Sequence, residues 1–124
     1  MTIGEGILLS DDLIFTSRIT GTASHFGGRM RVARTPAALI TLAEQQPPAC
    51  VILDLGHDSL DISTVVIALR ALSDPSPQVI AYGSHVAVDV LRAAREAGCD
   101  RVMPRSQFVE QLPTAMRDWL GFPA

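Results

Sequence analysis

The chain has 124 residues, a net charge of −3 and 48% hydrophobic residues, a size that fits one domain burying its own core without disulfide or metal staples. No apolar run approaches the ~20 residues needed to cross a bilayer, which excludes a membrane span. All ten basic residues are arginine and they are scattered, which leaves no nucleic-acid surface.

Strands and helices alternate along residues 1–124. Gly6-Ile7-Leu8-Leu9 is a short apolar run without alternation, the pattern of a parallel strand covered on both faces. Phe15, Ile19, Thr22 and Phe26 then form one helical stripe, and Gly27-Gly28 ends it. Met30 to Val32 reads as the second strand. Thr35-Pro36 starts the second helix, with Thr as N-cap and Pro as first helical residue. Leu39, Leu42 and Ala43 are its apolar face, and Gln46-Pro47-Pro48 stops it.

Cys50-Val51-Ile52-Leu53 is the third strand. Ile62, Val65, Val66, Leu69 and Leu72 mark the third helix, and Asp74-Pro75-Ser76-Pro77 is a turn cluster. Val79 to Tyr82 is the fourth strand, with Tyr82 read as a packing residue. Ala87, Val90, Leu91 and Ala94 give the fourth helix, closed by Gly98. Arg101-Val102-Met103 is the fifth strand. The last helix carries Phe108, Leu112, Ala115, Met116 and Trp119. Pro113 lacks an N–H and clashes with the carbonyl four residues back, which predicts a kink or a restart there.

Five βα units with short connections predict a single three-layer α/β/α domain of flavodoxin/CheY-like type, a (βα)5 with parallel sheet order 2-1-3-4-5. Ligands of such sheets bind beyond the C-terminal strand ends. Asp11 and Asp12 leave strand one, and Asp54 leaves strand three, a neighbour about 4.8 Å away. Their carboxylates are expected to converge. Hard oxygen ligands of that kind suit Mg²⁺. An acidic pair before a helix also serves as a cap that favours the helix dipole, and both readings stand at this point.

Cys50 and Cys99 have no pairing motif and read as two small buried residues in a reducing compartment. His25, His57 and His85 match no zinc-ligand spacing and read as solvated loop or helix-end residues. MTIGEGILLS has neither a basic leader nor a cleavage site, so a cytoplasmic location is expected.

The segment Leu8-Leu9-Ser10-Asp11-Asp12 before a helix resembles the acidic pair of response-regulator receiver domains. Val51-Ile52-Leu53-Asp54-Leu55 resembles their phosphoacceptor strand, and Arg92 to Asp100 resembles their late-helix AxxAGA stretch. The resemblance implies a two-component phosphorelay role. Asp54 matches the phosphoacceptor, Asp11 and Asp12 the metal-binding pair, and Gly56 the position whose carbonyl completes the Mg²⁺ site. Implied partners are a histidine kinase or phosphotransfer protein, and a downstream protein met by the helix 4–strand 5–helix 5 face. A homodimer is compatible with it. No enzyme activity is implied beyond self-phosphorylation and dephosphorylation at Asp54.

Several positions depart from the family. Its lysine beyond strand five has no counterpart, because the chain holds no lysine; counting from Gly98 places Arg105 there, with Pro104 before it rather than after. Arginine keeps the charge, but its planar fork does not imitate a point ammonium. The family's hydroxyl after strand four falls on Gly83, with Ser84 one place later. The usual Pro and Gly after the phosphoacceptor fall near Asp58 and Ile62, and the carboxylates of Asp58 and Asp61 oppose an incoming phosphodonor. These departures leave two readings open: a receiver that accepts phosphate on Asp54, with Ser84 and Arg105 meeting it, and a pseudo-receiver that binds partners without phosphorylation. Asp61-Ile62-Ser63-Thr64 faintly resembles an anti-sigma-factor antagonist segment, a third reading that leaves Asp11-Asp12 unexplained. A flavin mononucleotide enzyme is disfavoured by acidic residues where a phosphate would sit.

Overall fold

The computed structural model describes residues 2–123. Ten elements follow one another: β1 (Thr2–Leu9), α1 (Leu13–His25), β2 (Arg29–Ala33), α2 (Pro36–Gln45), β3 (Pro48–Asp54), α3 (Ile62–Leu72), β4 (Gln78–Gly83), α4 (Val88–Glu96), β5 (Arg101–Pro104) and α5 (Arg105–Trp119). The strands form one parallel sheet in the order β2-β1-β3-β4-β5, as the alternating pattern predicts.

The central strand β3 is buried along its whole length, which is why its sequence is a continuous apolar run rather than an alternation. Its side chains divide between two cores. Cys50 and Ile52 join Leu8, Ile80 and Tyr82 beneath α1 and α5. Val51 and Leu53 join Ile7, Leu9, Val79 and Ala81 beneath α2, α3 and α4. Each fully buried Leu or Ile contributes roughly 1.5–3 kcal/mol by leaving water.

Element starts follow local chemistry. The side chain of Thr35 accepts from the Ala38 N–H at 3.1 Å, with Pro36 first in α2. Asp61 caps α3 through the Thr64 N–H. The C-terminus of α1 closes with Gly27 at φ +81°, and the Gly28 N–H reaches back to the Ala23 carbonyl at 2.9 Å.

The structure corrects four local expectations. Strands β1 and β3 begin earlier, at Thr2 and Pro48, because those residues pair across the sheet; proline is tolerated at a strand's first position. Ala23 rather than Thr22 takes the fully buried place beside Ile19 in α1. Val90 points outward from α4, leaving Leu91 and Ala94 as its buried pair. Helix α5 runs through Pro113 without a restart. Pro113 lies on the exposed side, opposite the buried stripe Phe108, Leu112, Met116 and Trp119, so the backbone bond it removes lies on the outer side of the helix.

Of the cysteines, Cys50 is buried and Cys99 is partly exposed at the edge of the second core; both are free thiols. Burial pushes the Cys50 thiol up to about 12 and the Cys99 thiol to about 11.

Candidate functional site

Strands β1 and β3 end side by side, with Leu9 opposite Leu53. The next residues of both open one cavity of about 330 Å³, lined by Asp11, Asp12, Asp54, Gly56, His57, Asp58 and Arg105. The three aspartates singled out in the sequence therefore share a cavity, and Gly56 and Arg105 share it with them.

Asp54 is the buried member, with 6% of its surface exposed. Its Oδ2 accepts from the Ser10 hydroxyl at 3.0 Å, and its Oδ1 accepts from the Gly56 N–H at 2.9 Å. Among the described residues no basic side chain forms an ion pair with it. Arg105 has therefore not replaced a chemical switch with a permanent salt bridge.

The sequence places Ser10 at the end of strand one beside Asp11 and Asp12 but gives it no role. It is 1% exposed and sits two residues after Leu8, on the same face of the chain. Its oxygen also accepts from the Asp12 N–H at 3.0 Å, so one hydroxyl ties the β1 end to the β3 end. A polar residue continuing a buried strand face was the signal that could have found it.

Asp12 serves as the N-cap of α1: its Oδ1 accepts from the Ile14 and Phe15 N–H groups, both at 3.0 Å. Asp11 is solvent-facing, and its Oδ2 lies 3.1 Å from Nε2 of His57. Among the described residues no three His, Cys, Asp or Glu side chains are close enough together to hold a metal ion.

His57 corrects its reading as a solvated loop residue, because only 4% of its side chain is exposed. Nε2 lies 2.6 Å from the Arg34 carbonyl, to which it must donate, and Nδ1 accepts from the Ser59 N–H at 3.1 Å. Those two bonds define the neutral tautomer with its proton on Nε2. The ring thereby fastens the loop after β3 to the chain just after β2, and its N–H also faces Asp11.

Arg105 is the first residue of α5. Its guanidinium lies 5.3 Å from the centre of the Phe15 ring, and its Nε is buried without a hydrogen-bond partner among the described residues. It borders a second cavity of about 610 Å³, shared with Phe15, Ser84, His85, Ser106 and Val109. Ser84 lines that second cavity rather than the carboxylate cavity, and its oxygen faces the Val86 N–H at 3.4 Å. Gly83, the last residue of β4, packs close against Leu55: an added Cβ would meet the Leu55 Cβ at 3.3 Å.

Tyr82 stands directly opposite Asp54 in the β3–β4 register. It is fully buried and stacks between Phe15, at 5.3 Å, and Phe108, at 4.5 Å; Phe108 in turn stacks on Trp119 at 5.7 Å. Its hydroxyl has no hydrogen-bond partner among the described residues. Ser10 is near enough to influence the phenol without reaching hydrogen-bonding geometry. Burial first, then the Asp54 carboxylate, hold the phenol protonated well above its ordinary range.

The architecture around this cavity matches solved structures over nearly its whole length. The receiver domain of the sensor histidine kinase PA1611 from Pseudomonas aeruginosa, which has a magnesium ion coordinated in its active-site cleft, superposes with a TM-score of 0.79 at 17% identity, covering 98% of this chain and 99% of that one. This chain has the receiver fold. The receiver domain of NtrX from Brucella abortus gives a TM-score of 0.77 at 16% identity over 93% of this chain and 97% of that one. The beryllofluoride-activated NtrC4 receiver domain dimer gives 0.75 at 16% identity over 94% and 99%. No family model matches the sequence, and no curated protein matches it. The receiver fold persists here at low identity because the buried pattern of five parallel strands constrains residue character rather than residue identity.

Proposed function

We propose that this chain is an atypical response-regulator receiver domain in a two-component phosphorelay, with Asp54 as the phosphoacceptor and output through protein–protein contact. The observation that carries this reading is Asp54 itself: a buried carboxylate with no ion-pair partner among the described residues, bordering a cavity shared with Asp11, Asp12 and Arg105. A buried, uncompensated charge is expensive and is expected where chemistry uses it.

In the proposed reaction, an oxygen of the Asp54 carboxylate attacks the phosphorus of a phosphodonor. An O–P bond forms, the donor's bond to phosphorus breaks, and the leaving group departs with the electron pair. Water later cleaves the acyl phosphate, returning the carboxylate and inorganic phosphate. The donor in a cell would be a histidine kinase or phosphotransfer protein.

The carboxylates of Asp11, Asp12 and Asp54 and the Gly56 carbonyl are hard oxygen donors of the kind a divalent cation takes, with the His57 imidazole beside them already bonded to the Arg34 carbonyl and the Ser59 N–H. Asp11, Asp12, Asp54 and the Gly56 carbonyl would hold Mg²⁺ once Asp12 leaves its helix-capping bonds and Asp11 its contact with His57, because in the free chain no three such side chains among the described residues lie close enough together. When bound, the ion would offset charge on the phosphoryl oxygens. Arg105 would add a guanidinium at the same cavity, and Ser84 lines the adjacent cavity that Arg105 also borders. Output would use the α4–β5–α5 face, where Val86, Val88 and Val90 stand exposed at 74%, 56% and 42%. A homodimer through that face is one form such output would take. No described helix is long and apolar enough to cross a membrane, and a cytoplasmic location belongs to the same proposal.

A second reading has its own observation. Asp12 is engaged as a helix cap and Asp11 faces His57, so the metal-binding pair is occupied by internal partners. That arrangement favours a pseudo-receiver that binds partners without phosphorylation.

Incubation with Mg²⁺ and acetyl phosphate, followed by mass spectrometric mapping, separates the two. Added phosphate on Asp54, lost in Asp54→Ala, is the expected result. No label, under conditions that modify an ordinary receiver domain, would leave the pseudo-receiver reading standing.

A further inference from the structure

We propose that the hydroxyl of Tyr82 is the hydrogen-bond donor that recognises a phosphoryl group on Asp54, an inference that rests on the phosphoacceptor reading above. Three observations carry it. Tyr82 pairs directly with Asp54 across β3 and β4, and both side chains lie on the α1/α5 side of the sheet. The ring has little room to turn, because it is stacked between Phe15 and Phe108. Its hydroxyl is buried and has no hydrogen-bond partner among the described residues.

A buried hydroxyl without a partner is rare in folded proteins and carries a desolvation cost, so the position calls for an explanation. The neighbouring groups supply one. Ser10 gives its one proton to Asp54 Oδ2 and a lone pair to the Asp12 N–H, so it has no donor left for a phosphoryl oxygen. The Gly56 N–H is committed to Asp54 Oδ1. Tyr82 and Arg105 both have a donor still to give, and of the two it is Tyr82 that stands opposite Asp54 in the strand register. A phosphoryl group joined to Asp54 brings three oxygens into this space, and the free phenol proton then finds an acceptor. Arg105 reaches the same place by another route, through its contact with Phe15 on the stack that holds Tyr82. Ser84 lines the adjacent cavity.

Beryllofluoride with Mg²⁺ serves as the probe, as a stable mimic of a phosphoryl group on a carboxylate. Tyr82→Phe keeps the ring and the stack and removes only the oxygen. The expected result is a roughly tenfold weaker affinity for beryllofluoride, the scale of one hydrogen bond to a charged group. Its resistance to urea should equal or exceed that of the native chain, because no bond is lost in the free state. Tyr82 is the sole tyrosine, so 3-fluorotyrosine places a single fluorine beside the site. Its NMR signal should shift when beryllofluoride and Mg²⁺ are added to the native chain.

Equal affinity in both proteins, or an unmoved fluorine signal in a protein that binds the probe, overturns the role of Tyr82 and leaves the phosphoacceptor reading intact. Marked destabilisation by Tyr82→Phe also overturns it, since the hydroxyl would then be bonded before any ligand arrives. No beryllofluoride binding by the native chain removes both proposals together.

Discussion

His57 and Asp11 meet across the mouth of the carboxylate cavity, with Nε2 of the imidazole 3.1 Å from Oδ2 of the carboxylate. The same Nε2 faces the Arg34 carbonyl at 2.6 Å, and Nδ1 accepts from the Ser59 N–H. One ring therefore joins the end of β2, the turn after β1 and the loop after β3. That loop carries Gly56 and Asp58, so its placement sets two walls of the cavity.

Replacing His57 tests that joint. His57→Ala strips the partner from the Arg34 carbonyl and the Ser59 N–H while leaving the carboxylates in the chain. Two hydrogen bonds of a nearly buried ring are lost, which predicts a destabilisation of about 1–3 kcal/mol in urea unfolding. A change within experimental error would show that the loop is held by other contacts.

Asp54 offers a test of opposite sign. Its carboxylate is buried, and Asp11, Asp12 and Asp58 border the same cavity. Like charges that close repel, and no cation pairs with Asp54 among the described residues. Asp54→Asn keeps an acceptor for the Gly56 N–H and removes the charge. The expected outcome is a gain of about 1 kcal/mol in thermal or urea unfolding without Mg²⁺, the pattern of a site that sacrifices stability for function. Lower stability in the variant would mean that the charge is better satisfied than its two hydrogen bonds indicate.

The two thiols give a prediction about pH. Burial holds Cys50 at about 12 and Cys99 at about 11, against an ordinary value of 9.0. Both are protonated at pH 8 in the folded chain, so labelling by a thiol-specific disulfide reagent should be slow until denaturant is added. The sign for stability follows. The unfolded thiols ionise first, so their contribution is complete below pH 9 and declines as pH rises through 11 to 12. Urea midpoints measured between pH 8 and 10.5 should fall, and less steeply in Cys50→Ala than in the native chain. Rapid labelling of Cys50 in the folded protein at pH 8 would contradict its burial.

The stack Phe15–Tyr82–Phe108–Trp119 predicts where packing matters most. Phe108 is fully buried and contacts rings on both sides. Phe108→Ala should destabilise by about 3–5 kcal/mol, the usual range for a deleted core aromatic. A smaller loss, read from urea unfolding followed by Trp119 fluorescence, would show that α5 collapses into the gap.

The order of strands and helices, the caps at Thr35 and Asp12, and the gathering of Asp11, Asp12 and Asp54 at one end of the sheet were all written in the sequence. Each rests on near-neighbour chemistry: hydrophobic period, a hydroxyl or carboxylate before a helix, and the rule that parallel strands end on one side. Pro113 shows the limit of such rules, since local chemistry predicted a break and packing of the buried stripe kept α5 whole. What only the tertiary structure decided is the state of the three carboxylates. Ser10 bonds Asp54 across 44 positions, His57 faces Asp11 from the next loop, and Tyr82 arrives beside Asp54 through strand register. No local pattern encodes a contact between residues that far apart. It exists only once the two cores have fixed the sheet's register.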